Sequence, residues 1–598
     1  MSHTFHIPVL GLAFSIDTPL KVARYGISSV VSIVDDVLLE RMREYHAKKC
    51  GKAFVPIPEK SADHRASRIT AYLNLLKDIV DEQFITLKNS EFVEGSEISK
   101  YFDLLPHESD LKKLYNKMLA VTDIKYKEEL QAVLREKMAC GAIDVNIMSK
   151  VDKINYDVNG DSLGEKFTDA VAALRGFAQS NCNSALVLSA GMNPRLYSSL
   201  EDFADFYPDS DQQLRKKIIL KVSDFRSAFI QAKFLAKKGL WISEFRVESG
   251  LNCGGHAFAT EGYLLGPILE EFKLRRSEMV NELFDIYQKS LANKGIQLSE
   301  APSQKLTVQG GIGTSRENNF LINHYNLDGT GWGSPFLLVP EATNVDTETL
   351  EALEDAASED FYISGSSPLG VPFNNFRKSS AEALRLERIK KGRPGSPCRK
   401  KFLVSNTEFT EQPICTASRE FQNLKIKQLD SADLPAEEHK RQFDLITEKI
   451  CLCEGLATSA YIKNNIVKPR ENTAVAICPG PNLAFFSRSF TLKEMVQHIY
   501  GKVDLLNKID RPNLFVNELK LYIEYLKKDV SQHIGELNDK KSKYFVKFKE
   551  QLILGIEYYK NLVPQLLNET ETYKTKMMND LRDLEKLLSM EVELNKSF

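Results

Sequence analysis

The chain lacks the features that would direct it to a membrane, a nucleic acid or the cell exterior. Within its 598 residues no apolar run approaches the roughly 20 residues of a membrane helix. The first residues show no charged-then-apolar export pattern. No segment is basic enough to make nucleic acid an expected partner, and the formal net charge is only -2. No internal repeat is evident. Hydrophobic residues at 43% and charged residues at 27% are ordinary for a globular protein, and the length exceeds what one compact core accommodates. The expectation is a cytoplasmic, enzyme-sized protein of two or three domains.

Cysteine is neither absent nor arranged as a disulfide framework. There are nine, an odd number. Cys50, Cys140, Cys182 and Cys253 are scattered, whereas Cys398, Cys415, Cys451, Cys453 and Cys478 crowd into about 80 residues. In a cytosolic chain such crowding points to metal or redox chemistry before disulfides. The spacings match no standard ferredoxin or zinc-finger pattern. Thiolates from Cys398, Cys415, Cys453 and Cys478, each in a turn near Pro or Gly, could hold a [4Fe–4S] cluster or a zinc ion. Small buried hydrophobes are the plainer reading of the same residues.

Two glycine-rich stretches carry the most information. Gln309-Gly310-Gly311-Ile312-Gly313-Thr314 follows the apolar Leu306-Thr307-Val308, and Gly329-Thr330-Gly331-Trp332-Gly333-Ser334 comes about twenty residues later. Glycine admits positive φ and close backbone approach, so successive N–H groups can converge on an anion. Turns of this kind on neighbouring strand ends of an α/β barrel form a phosphate cup. Gly310, Gly311, Gly333 and Ser334 are the candidates.

Strand and helix signals alternate around these turns. Strands are expected at Ile7–Phe14, Ile27–Ile33, Ala142–Met148, Ala185–Ser189, Ile218–Val222 and Trp241–Val247, with helices between. That alternation predicts parallel βαβ units, and candidate ligand residues past many different strand ends favour a TIM (β/α)8 barrel. The barrel is expected over 1–36 and 141–345. A helical insertion fills 37–140, a loop-rich cysteine-containing region 346–502, and a helical segment 503–598 that could form an arm or an oligomer contact.

In order, five further stretches resemble the flavin-dependent TIM-barrel group of nitronate monooxygenases and the FMN type of enoyl-acyl-carrier-protein reductase, over about residues 7–345. They are Gly11-Leu12-Ala13-Phe14, Val145-Asn146-Ile147-Met148, Ser189-Ala190-Gly191-Met192-Asn193-Pro194, Lys221, and Glu248 followed by Cys253-Gly254-Gly255-His256. The resemblance implies FMN contacts from Ala13, Asn146, Gly191, Lys221, Glu248, Gly254 and Gly255, and substrate contact or acid–base work by His256. It implies NAD(P)H as an electron donor and leaves the substrate open between a small molecule and an acyl carrier. A non-redox alternative uses the same barrel as a phosphate-binding lyase or isomerase with Lys221 as its amine, or as a scaffold whose helical arms bind partners.

Overall fold

The computed structural model describes residues 2–157, 159–189, 191–252, 254–255, 261–507, 509–533, 539–567 and 569–594. Eight parallel strands close into a barrel in chain order: β1 (Phe5–Ile7), β2 (Ser28–Ser32), β3 (Ile143–Ile147), β4 (Ala185–Leu188), β5 (Lys217–Val222), β6 (Ile242–Glu248), β7 (Lys305–Gln309) and β8 (Gly329–Gly331). β8 returns to pair with β1, His6 opposite Gly331. This is the (β/α)8 architecture that the alternation predicts.

Two strand boundaries differ from expectation, each for a local reason. Pro8 has no N–H to give the ladder, so β1 stops at Ile7 and Gly11 turns at φ +129. Gly11 to Phe14 is therefore loop. The stretch Gly329-Thr330-Gly331 is not turn but the last strand. A Cβ at Gly331 would stand 2.6 Å from Gln309 Cβ and 2.9 Å from His6 Nε2, so only glycine closes the barrel there.

The connections set the periphery. α1 (Thr18–Val22) links the first two strands. Between β2 and β3 lie α2 (Asp36–Lys49), α3 (His64–Asn89), α4 (Glu97–Asp103), α5 (Asp110–Ala120) and α6 (Ile124–Lys137). α7 (Asp169–Ala178), α8 (Pro194–Ser199), α9 (Phe225–Ala236), α10 (Leu265–Ala292) and α11 (Ser315–Tyr325) then follow successive strands. The region read as loop-rich holds α12 (Thr347–Glu354), the antiparallel hairpin β9–β10 (Phe361–Ser364 and Phe373–Phe376), α13 (Ser380–Lys390), α14 (Arg419–Asp430), α15 (Ala436–Thr447), α16 (Leu452–Lys463) and α17 (Leu492–Ile499). Several of these helices bury almost nothing apolar. Glu382 is the buried residue of α13 and Thr447 that of α15. Among the described residues no helix is long and apolar enough to cross a membrane.

The last helices, α18 (Leu514–His533), α19 (Asp539–Leu562) and α20 (Glu571–Leu594), dock on the barrel through polar anchors as well as apolar contacts. α10 starts without a side-chain cap of its own. Instead Leu265 N–H donates to Glu518 Oε2 at 2.8 Å and Gly266 N–H to the Tyr559 hydroxyl at 3.1 Å. The Ser249 hydroxyl donates to the other Glu518 oxygen at 2.7 Å.

Alternate positions point into the barrel, the period of two of a strand. Val30, Val187 and Ile219 form a small apolar cluster there. Beside it the interior is charged: Arg246 Nε donates to Glu244 Oε1 at 2.8 Å, and Thr307 Oγ1 to the same oxygen at 2.6 Å. Burial raises the Asp144 carboxyl to about 6, against the pull of Arg246. Removing one partner strands the other's charge, so Arg246→Leu is expected to cost about 3–5 kcal/mol in urea unfolding. A second expectation concerns Glu518, which burial lifts from 4.5 to about 7 although Ser249 and the amides of Leu265 and Gly250 oppose the shift. The folded chain then holds this proton more tightly than the unfolded one. Stability from this group is full below pH 4.5, falls as pH rises toward about 7, and is flat above. Glu518→Gln should remove that slope, as pH-dependent unfolding midpoints would reveal.

Candidate functional site

One carboxylate oxygen organises the carboxyl-terminal mouth of the barrel. Glu248, the last residue of β6, accepts through Oε1 from Lys221 Nζ of β5 at 3.0 Å, from Gln309 Nε2 of β7 at 2.7 Å and from Asn252 Nδ2 at 2.5 Å. Gln309 Oε1 in turn meets His6 Nε2 at 3.4 Å. Burial, reinforced by Arg246, drives the His6 imidazole well below its ordinary value. Neutral His6 thus sits beneath a cation–carboxylate pair.

Above this floor lies a cleft enclosing about 950 Å³ of non-protein space, its solvent-open part included. Ser32, Asn146, Ser189, Lys221, Glu248, Gly254 and Gly255 line its polar side. Asn146 is 3% exposed, and its Oδ1 has no hydrogen-bond partner among the described residues. A buried acceptor in that state is costly unless a ligand satisfies it. The roof is apolar and comes from distant segments: Phe373 of β10, Phe402 and Leu403, and Leu452, Cys453 and Leu456 around α16. A mostly apolar pocket with a few convergent polar groups is the usual form of a cofactor site.

The two glycine turns lie side by side because β7 and β8 are paired. Gly310, Gly311, Ile312, Gly333 and Ser334 line one small cup beside Leu251, Asn252 and Asn482, about 230 Å³ of non-protein space with its solvent-open part included. Asn252 also lines the larger cleft, so cup and cleft adjoin. The N–H groups of Gly311, Ile312, Gly333 and Ser334 meet no hydrogen-bond acceptor among the described residues. Other polar atoms nearby are engaged: Gly313 N–H donates to Glu317 Oε2 at 2.9 Å, and the Ser334 hydroxyl accepts from Gly480 N–H at 2.9 Å. Gly311, Ile312 and Ser334 are buried and Gly333 is half-buried, and unpaired amides on residues that line one cavity suit an anion.

The expected residues separate into groups. Asn146, Lys221, Glu248, Gly254 and Gly255 share the cleft, and Gly310, Gly311, Gly333 and Ser334 share the cup. Ala13 is not in the cleft; its side chain is fully buried and its N–H donates to Leu456 O at 3.0 Å, while the neighbouring Gly11 and Leu12 line the cavity. Gly191 lies in a neighbouring groove with Arg195 and Lys150, and Lys150 also lines the cleft. His256 and Cys253 fall outside the described residues.

Cys398, Cys415, Cys453 and Cys478 do not assemble as a ligand set. Among the described residues no group of three or more His, Cys, Asp or Glu side chains is placed to hold a metal ion. Cys398 and Cys415 share a hydrogen bond that lowers the Cys398 thiol to about 7. Burial holds the Cys453 thiol high in the cleft roof, and Cys478 is packed without exposure near Gly11. Cys453 and Cys478 both line the cleft.

Gln309, Asn252 and Ser32 join the site without belonging to the motif residues named above as ligand contacts. Gln309 has a sequence signal as the residue before the first glycine pair; Asn252 and Ser32 carry no local signal.

No family model and no curated protein matches the chain. Among solved structures it is similar to the enoyl reductase domain of MlnA from the macrolactin biosynthesis cluster of Bacillus amyloliquefaciens, with 14% identity, a TM-score of 0.33, and 68% of this chain and 89% of that chain covered. It is similar to FabK from Thermotoga maritima, with 12% identity, a TM-score of 0.28, and coverage of 68% and 85%. It is similar also to nitroalkane oxidase from Streptomyces ansochromogenes, with 8% identity, a TM-score of 0.33, and coverage of 84% and 95%.

The two glycines of the cleft are expected to respond differently to a methyl group. A Cβ at Gly254 would stand 2.3 Å from Val9 O, whereas one at Gly255 meets nothing within 4 Å; both have positive φ, +97 and +125. Backbone strain of about 1–3 kcal/mol is expected in Gly255→Ala, and a larger loss in Gly254→Ala, in chemical denaturation.

Proposed function

We propose that the chain is an FMN-dependent oxidoreductase acting on an organic substrate, with NAD(P)H as electron donor. The observation that carries this reading is the adjoining of two cavities. One is an anion cup with four open backbone amides, and the other a larger apolar-roofed cleft with a cation and an unsatisfied amide oxygen on its polar side. A phosphate tail joined to a flat heteroaromatic ring needs both.

The residues suit such a group. The amides of Gly311, Ile312, Gly333 and Ser334 would hold the phosphate, and Asn146 Oδ1 would accept from a ring N–H. Lys221 would face the ring edge where reduction places negative charge. When bound, the flavin supplies hydride acceptance and donation, chemistry that the side chains cannot perform. This chain's contribution is to hold and desolvate. Gln309 and Asn252 fix the Glu248 carboxylate, Glu248 fixes the Lys221 ammonium, and Phe373, Phe402, Leu452 and Leu456 exclude water from the roof.

The ion pair also bears on the lyase alternative, since Lys221 Nζ is engaged by Glu248 Oε1 at 3.0 Å. The choice between small-molecule and acyl-carrier substrates rests with the segments over the mouth.

Protein purified without added cofactor should be yellow and release FMN on denaturation. Lys221→Met should bind FMN at least about tenfold more weakly, the loss of one charge-assisted contact. A colourless protein that takes up no flavin in fluorescence titration would refute the proposal.

A further inference from the structure

The first glycine turn is held from behind by a residue about two hundred positions further along the chain. Arg511 Nη2 donates to Gly311 O at 2.8 Å, and its Nε donates to Asn482 Oδ1 at 2.8 Å. Asn482 Nδ2 donates to Ile312 O at 2.9 Å, so both successive turn carbonyls are claimed. Arg511 Nη1 pairs with Glu317 Oε1 at 2.7 Å, and the two side chains are only 5% and 4% exposed. Glu317 uses its remaining capacity on the N–H groups of Gly313 and Leu514. A Cβ at Gly313 would lie 2.5 Å from Arg511 Nε, so the third glycine of this turn leaves the space that the guanidinium fills.

The carbonyl and the N–H of one trans peptide point in opposite directions. Directing Gly311 O toward Arg511 therefore directs Ile312 N–H away from it, on the side of the turn opposite the guanidinium, and Ile312 lines the cup. Released from that contact, the 311–312 peptide could rotate and place a carbonyl oxygen in the cup, where it would repel an anion. The Arg511–Glu317 pair is neutral overall, so its effect is one of orientation rather than added field. We propose that Arg511 is a positioning residue for a phosphomonoester-binding cup, which makes the segment leading into α18 part of the ligand site. This rests on the phosphate reading of the cup given above, and it adds a residue that touches no ligand.

The test is titration of full-length wild-type, Arg511→Gln and Asn482→Ala proteins with FMN and with riboflavin, which lacks the phosphate, followed by flavin fluorescence. Wild-type protein should prefer FMN. Arg511→Gln should reduce that preference about tenfold or more with riboflavin affinity unchanged, equivalent to roughly 1.4 kcal/mol. Asn482→Ala, which keeps the Arg511–Glu317 pair, should shift the preference in the same direction by less, and it decides between the outcomes if Arg511→Gln does not fold. Preference retained in the variants, or equal loss for both flavins, would overturn the positioning role. A wild-type protein that binds both flavins equally would remove the phosphate reading and this inference together. If neither flavin binds, inorganic phosphate should raise the thermal midpoint of wild-type protein but not of Arg511→Gln. That result would keep Arg511's role while replacing flavin with another phosphate ester; stabilisation of both proteins alike, or of neither, would overturn it.

Discussion

Three hydrogen-bond donors from different segments converge on one oxygen of Glu248, and the arrangement of the barrel mouth follows from that convergence. Lys221 arrives from β5, Gln309 from β7 and Asn252 from the loop after β6. A buried carboxylate tolerates its position only when its charge is matched and its lone pairs are used. By meeting that demand the three donors lock the ends of three adjacent strands in register. The glycine turn after β7 inherits its position from Gln309, and the Gly254–Gly255 segment inherits its own from Asn252. Both cavities are consequences of this arrangement.

Much of the barrel is written locally. β-Branched and apolar runs such as Ile218-Ile219-Leu220 and Val145 with Ile147 mark buried strands. The glycine pair after Gln309 is legible for the same reason, since positive φ at Gly310 and Gly311 is a local requirement. The second glycine stretch is legible only in part. Gly331 is glycine because Gln309 and His6 approach it from neighbouring strands, a packing demand that resembles turn chemistry when seen in one dimension.

What could not be read locally is whatever long-range contact decides. Phe373, Phe402 and Leu456 are ordinary apolar residues until the chain folds them over the mouth. Ala13 and Gly191 sit in stretches that resemble a family pattern, yet the first is packed against Leu456 and the second lies in a neighbouring groove. The cysteines show the same limit. Proximity in sequence suggests shared ligation, whereas folding puts Cys453 and Cys478 in the cleft lining and pairs Cys398 with Cys415, with no metal-holding group among the described residues.

The span between Gly311 and Arg511 has a bearing on biosynthesis. The ribosome makes all eight strands before it reaches the arginine, so a nascent barrel can be closed while the backbone of its first glycine turn still lacks its brace. On the proposed reading, ligand binding would follow once translation has passed that point. A polypeptide interrupted earlier would carry the strands without a finished seat for the ligand.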